Sequence, residues 1–217
     1  MFLGHFGVGF GAKRAAPGTS LGTLFLSAQF VDILWPTLLL AGIERVEIRP
    51  GVTQVTPLDF VSYPVSHSLA LVACWGALFG SVYWILRRYA VGAIITAAAV
   101  ISHWLLDAVV HRPDLPLVPG GAAKLGLGLW NSPGATLVVE GAIFAAGVLL
   151  YLRSTIAVGR AGRYGTAALI ALLLLIYAAN FAGPPPPTVA MIAWAGQAQW
   201  LLVAFGYWLD RHRRLRV

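Results

Sequence analysis

The stretch "AVGAIITAAAVISHWLLDAVVH", residues Ala90–His111, decides how this chain is read. Up to Ile101 it holds no ionisable residue. Its length fits the roughly 20 apolar residues that take a helix across a hydrocarbon core. His103, Asp107 and His111 then follow at steps of four, a spacing that places them on one face of a helix. An ionisable side chain at the centre of a span costs at least ~2.5–3.5 kcal/mol on insertion scales. A span that keeps three in line is expected to have partners for them.

Composition supports a membrane setting. The 217 residues are 59% hydrophobic and 11% charged, whereas soluble domains average about 25% charged. Six stretches reach spanning length, at 21–42, 64–86, 90–110, 134–152, 164–183 and 188–209. A half-helix over 1–12, too short to cross, precedes them. The predicted fold is an all-α polytopic membrane protein forming a single transmembrane domain. The opening "MFLGHFGVGFGAKRAAP" places its charges after the apolar run, the reverse of a secretory leader. Gly7 and Gly11, and likewise Gly76 and Gly80, have the small-xxx-small spacing that lets helices approach closely.

The net charge of +7 is unevenly distributed. Lys13, Arg14, Arg87, Arg88, Arg153, Arg160, Arg163, Arg211, Arg213, Arg214 and Arg216 fall on one set of connections. Only Arg45, Arg49, Arg112 and Lys124 fall on the other. By the positive-inside rule the first set is cytoplasmic, with both termini, and the long connections 43–63 and 111–133 lie outside. The basic residues are then anchors facing acidic lipid heads, and no nucleic-acid partner is expected. The lone cysteine, Cys74, offers neither a disulfide nor a thiolate metal site.

Depth ties the polar residues together. At about 1.5 Å per residue from the inner end of each span, Asp32 and Glu140 lie about 18 Å up, His103 about 21 Å, Asp107 about 27 Å and His67 about 28 Å. His5 lies about 12 Å up the half-helix. Five segments thus bring imidazoles and carboxylates to the middle-to-outer half of the bilayer. A shared cation stabilises such a set; without one the carboxylates repel or take up protons. His5, Asp32, His67, His103, Asp107 and Glu140 are the candidate metal ligands, with His111 a further candidate at the membrane edge. Imidazole and carboxylate without thiolate suit zinc, with iron or manganese as alternatives. Six donors leave room for one or two ions, and paired ions can activate water. Taken singly, each residue also fits an ordinary role: His67 with Ser66 at a helix start, Asp32 as a hydrogen-bond acceptor, Glu140 as a packed carboxylate.

"GH" at Gly4–His5, Asp32 in "SAQFVDILWP", "SHSL" at Ser66–Leu69 and "SHWLLD" at Ser102–Asp107 resemble the YdjM-like family of inner-membrane metal-dependent hydrolases. The likeness covers most of residues 1–140. The order His, Asp, His, His-x-x-x-Asp and a late Glu also looks like the zinc-dependent phospholipase C and nuclease group. The resemblance implies a bacterial inner-membrane location and hydrolytic activity.

The expected function is a metal-dependent hydrolase acting on a phosphoester or ester of a lipid or amphiphile, with Asp32 or Glu140 as general base. Arg112 near the outer rim is placed either to meet a phosphate or to pair with Asp114. Trp35, Trp104 and Trp130 suit an interfacial aromatic belt, or else a groove for a lipid chain. A transporter or channel moving metal ions or protons is the alternative, as is a membrane protein with a structural metal. The inner halves of the early spans carry little polar lining for a pathway.

Overall fold

The computed structural model describes residues 1–216. Helix α1 (Leu3–Ala15) is followed by α2 (Leu21–Ala28), α3 (Phe30–Leu40), the strands β1 (Arg45–Ile48) and β2 (Leu58–Ser62), the short α4 (Pro64–His67), α5 (Leu69–Arg87) and α6 (Ala90–Val110). Strands β3 (Leu115–Pro116) and β4 (Lys124–Leu125) precede α7 (Pro133–Ser154), β5 (Thr155–Ala157), α8 (Gly159–Ala182), α9 (Val189–Gln197), α10 (Gln199–Asp210) and β6 (Arg213–Leu215). The protein is mostly helical. Five helical segments are long and apolar enough to cross a membrane, six if the bent pair α2–α3 counts as one span. That pattern is one of an integral membrane protein.

Three expected spans are interrupted, each at a polar or small residue. The first bends by 57° between α2 and α3, at Gln29. The second breaks at Ser68, whose extended backbone (ψ 136°) separates α4 from α5. The last is divided at Ala198 into α9 and α10. The half-helix runs further than expected, to Ala15.

Before its basic last turn, helix α1 carries His5 as its one polar side chain, as suits a helix enclosed by others. Leu3, Phe6 and Phe10 are buried with Phe25, Phe144, Tyr151 and Leu169 in one core. The close approach expected of Gly7 is against α7. A Cβ on Gly147 would meet the Gly7 carbonyl oxygen at 2.0 Å, and one on Gly7 would meet the Ile143 carbonyl oxygen at 2.8 Å. The same device joins α5 to α6, where a Cβ on Gly76 or Gly80 would meet the carbonyl oxygen of Ala97 or Ala93 at 2.9 or 2.8 Å. These crossings are backbone against backbone.

The basic segments gather at one end of the bundle. Lys13 pairs with Asp210 at 3.3 Å, and Thr19 meets the Tyr83 hydroxyl at 2.9 Å. The arginine tail is an ordered strand here, since β6 pairs antiparallel with β5. Arg213 lies over the Tyr151 ring and donates to Thr155 and Thr166.

At the other end the long connections fold into the hairpins β1–β2 and β3–β4. They rest on a second core of Val31, Trp35, Phe60, Tyr63, Val100 and Trp104. Trp35 and Trp104 are therefore core residues, not members of an interfacial belt; tight packing of the hairpins over the helix ends encloses them. Arg112 bonds Asp59 and donates to Asp114 at 3.0 Å. Asp114 also accepts from Tyr63 at 2.8 Å and contacts His111 Nδ1 at 3.0 Å.

Two expectations follow. Gly147→Ala lowers the melting temperature by an overpacking cost of about 1–3 kcal/mol. Gly141→Ala, where a Cβ meets nothing within 4 Å, is the control and leaves it unchanged. Burial pushes the Asp114 carboxyl up, but hydrogen bonds from His111, Tyr63 and Arg112 outweigh it and hold the group below the ordinary carboxylate value. A carboxylate depressed in the folded state adds stability above its unfolded pKa and loses it as pH falls through the folded one. The stability gap between wild type and Asp114→Asn, measured by thermal unfolding, therefore narrows on acidification.

Candidate metal centre

The centre is assembled from four helices: His5 on α1, Asp32 on α3, His67 at the end of α4, and His103 and Asp107 one turn apart on α6. His103 is fully buried. Its Nδ1 lies 2.8 Å from the Ala28 carbonyl. A carbonyl only accepts, so Nδ1 carries the proton, and Nε2 of the neutral ring offers a lone pair. That carbonyl is available because α2 ends at the Gln29 bend, and the last carbonyls of a helix have no intrahelical donor.

His103 Nε2 lies 3.5 Å from Asp32 Oδ1 and 3.2 Å from Asp107 Oδ2. It has no hydrogen-bond partner among the described residues. His67 Nε2 faces the same two oxygens at 3.7 Å each, while its Nδ1 lies 2.7 Å from Ser66 Oγ. Metal bonds of about 2.0–2.2 Å put neighbouring donors about 2.9–3.5 Å apart. Two of the four measured separations, 3.2 and 3.5 Å, fall within that range and the two of 3.7 Å lie just above it. A bound ion would need the longer pair to close by a few tenths of an ångström. The donors of Asp32, His67 and His103 lie within 4.8 Å of one another, as do those of His5, His103 and Asp107. The donor set and the unpartnered Nε2 both fit a divalent cation.

Asp107 faces both ways. Its Oδ1 is 3.1 Å from His5 Nε2 and 2.5 Å from the Met1 amino group. The His5 and His103 rings stack at 3.6 Å. Asp32 is held through its backbone as well as its carboxylate. Pro36 has no N–H for the Asp32 carbonyl four residues earlier, and Gln199 Nε2 donates there instead at 3.2 Å. The Asp32 side chain is 25% exposed, against 2% for Asp107 and His67. The site opens at Asp32.

Two of the expected ligands are placed elsewhere. Glu140 Oε2 accepts from the Phe2 and Leu3 amides, both at 2.9 Å. These are free donors at the start of α1, so the carboxylate caps that helix and steadies His5 from behind. His111 terminates α6 and turns to Asp114 and the ring of Trp130, 4.4 Å away. It belongs to the outer hairpin cluster. Arg112 is committed to Asp59 and Asp114.

Two residues near the site carried no spacing signal in the sequence. Glu44 sits beside Arg45 and reads as a solvated loop acid, yet it is buried and bonds the start of α4. Gln29 is fully buried at the helix bend, and neither side-chain amide atom has a partner among the described residues. A glutamine inside an apolar run was the available hint.

No family model, curated protein or solved structure matches this chain.

Elemental analysis of the purified protein is expected to find a divalent metal, lost in His103→Ala and Asp107→Ala. Glu140→Gln keeps the metal but costs about 1 kcal/mol of stability, because only the helix cap weakens. A metal-free wild type would mean that protonated imidazoles balance the carboxylates instead.

Proposed function

We propose that this protein is a membrane-embedded metal-dependent hydrolase, with a phosphoester or ester of a lipid or amphiphile as substrate. One observation carries the reading: two imidazole nitrogens and two carboxylate oxygens face one another at 3.2–3.7 Å within a bundle of apolar helices. His67, His103, Asp32 and Asp107 hold the ion, zinc by donor type with iron or manganese as alternatives. When bound, that ion supplies Lewis-acid activation of water and of the scissile bond.

The chain's own residues divide the remaining work. His5 donates from Nε2 to Asp107 Oδ1 and fixes that carboxylate. Asp32, at the open edge, presents Oδ2 to receive a proton from incoming water while Oδ1 faces the imidazoles. The carboxylate of Glu140, occupied by backbone amides, leaves Asp32 as the base.

An apolar cavity of about 660 Å³, none of whose lining residues belongs to the centre, offers room for the chain of an amphiphile. Leu26, Phe30, Trp75, Phe79 and Val82 line it, and Arg87 lies at one end. With the basic end cytoplasmic, both termini lie inside and the site is in the outer half of a bacterial inner membrane.

Hydrolysis of phospholipid phosphoesters in mixed micelles tests the proposal. Activity should vanish with a chelator and return with added zinc. Asp32→Asn should reduce it by about 10²-fold or more. Metal or proton flux in proteoliposomes, with no hydrolysis of phosphoester or carboxylic ester, would instead identify a transporter.

A further inference from the structure

We infer that Glu44, acting through Ser66, is a positioning residue that keeps the proton of His67 on Nδ1 and turns its Nε2 lone pair to the metal. The inference rests on the metal reading above and concerns residues outside the ligand set.

The two histidines are fixed in different ways. His103 meets a carbonyl, which accepts and cannot donate, so its tautomer is decided by one partner. His67 meets a serine hydroxyl, which can do either. Left alone, Ser66 could donate to Nδ1 and move the ring proton to Nε2, against the metal. Glu44 removes that choice. Its Oε2 accepts the Ser66 hydroxyl at 2.5 Å. Ser66 has one hydroxyl hydrogen, so towards His67 its oxygen can only accept. Glu44, Ser66 and His67 are all buried, at 4%, 0% and 2% exposure, so bulk water does not compete for the chain.

The fold holds Glu44 in place at both ends. Its amide, beyond the end of α3, donates at 3.2 Å to the carbonyl of Leu38 in the last turn of that helix. Its Oε1 accepts from the Val65 and Ser66 amides at 2.8 Å each, the free donors at the start of α4. The hairpin register pairs Arg45, next to Glu44, with Ser62 near the start of α4. Conserving that register conserves the reach from Glu44 to Ser66. Such outer partners fix the orientation and tautomer of a metal-binding imidazole, and their loss costs about 10–100-fold in affinity.

Glu44→Gln reverses the chain. The Gln oxygen keeps the two amide bonds, but its amide nitrogen donates to Ser66 Oγ, and Ser66 then donates to His67 Nδ1. The test is Zn(II) and Co(II) affinity by chelator competition on the full chain in detergent, with side-chain ¹⁵N NMR of the apo protein reporting the His67 tautomer. Glu44→Gln is expected to weaken binding about 10–100-fold and to move the apo His67 proton to Nε2, with apo thermal unfolding lowered no more than by the comparable cap variant Glu140→Gln. Ser66→Ala weakens binding similarly, the double variant adds little further loss, and Ser66→Thr restores it. Wild-type affinity and an unmoved His67 proton in Glu44→Gln would overturn the role of Glu44. A wild type that binds neither ion would overturn the metal reading itself.

Discussion

Two imidazoles and two carboxylates converge in the middle of this bundle, and they can share that space only with a cation or protons between them. Nε2 of His67 and of His103 each face oxygens of Asp32 and Asp107. The Met1 amine and His5 satisfy the far oxygen of Asp107 but not the near one. In apolar surroundings such a cluster is costly unless a cation or protons compensate it. The rest of the architecture serves to hold these groups together against that cost.

The departures from regular helix occur where the centre needs partners. The Gln29 bend exposes the Ala28 carbonyl to His103. Pro36 frees the Asp32 carbonyl for Gln199, tying α3 to α10. The break at Ser68 ends α4 at His67, so this ring leaves the helix beside Glu44 and Ser66. An unbroken helix satisfies its own carbonyls and leaves little to hold a neighbouring histidine. Local irregularity thus supplies both imidazoles with their outer hydrogen-bond partners.

The half-helix α1 has a parallel role. Its glycine-to-glycine crossing with α7 lets it lie at the centre of the bundle, and Glu140 on α7 caps its start. The crossing and the cap together set the height and rotation of His5. A carboxylate of suitable depth and type has been used as scaffold for the site, and the outer hairpins bury the opposite side with aromatic rings.

The membrane character, the division of basic residues and the glycine faces were legible in the sequence, because each follows from local composition and helical period. The His103–Asp107 step and the shared depth of His5, Asp32 and His67 were legible for the same reason: rise per residue converts position into height. What height cannot give is azimuth. Glu140 lies at the depth of the centre, but rotation about α7 directs it to the amides of α1, while His111 is drawn to Asp114 by the chain turning at the end of α6. Glu44 is the converse case, distant in sequence pattern and brought beneath His67 by a hairpin register. Only the tertiary structure decided these, since the direction of a side chain about its helix depends on bends and crossings set by residues far away along the chain.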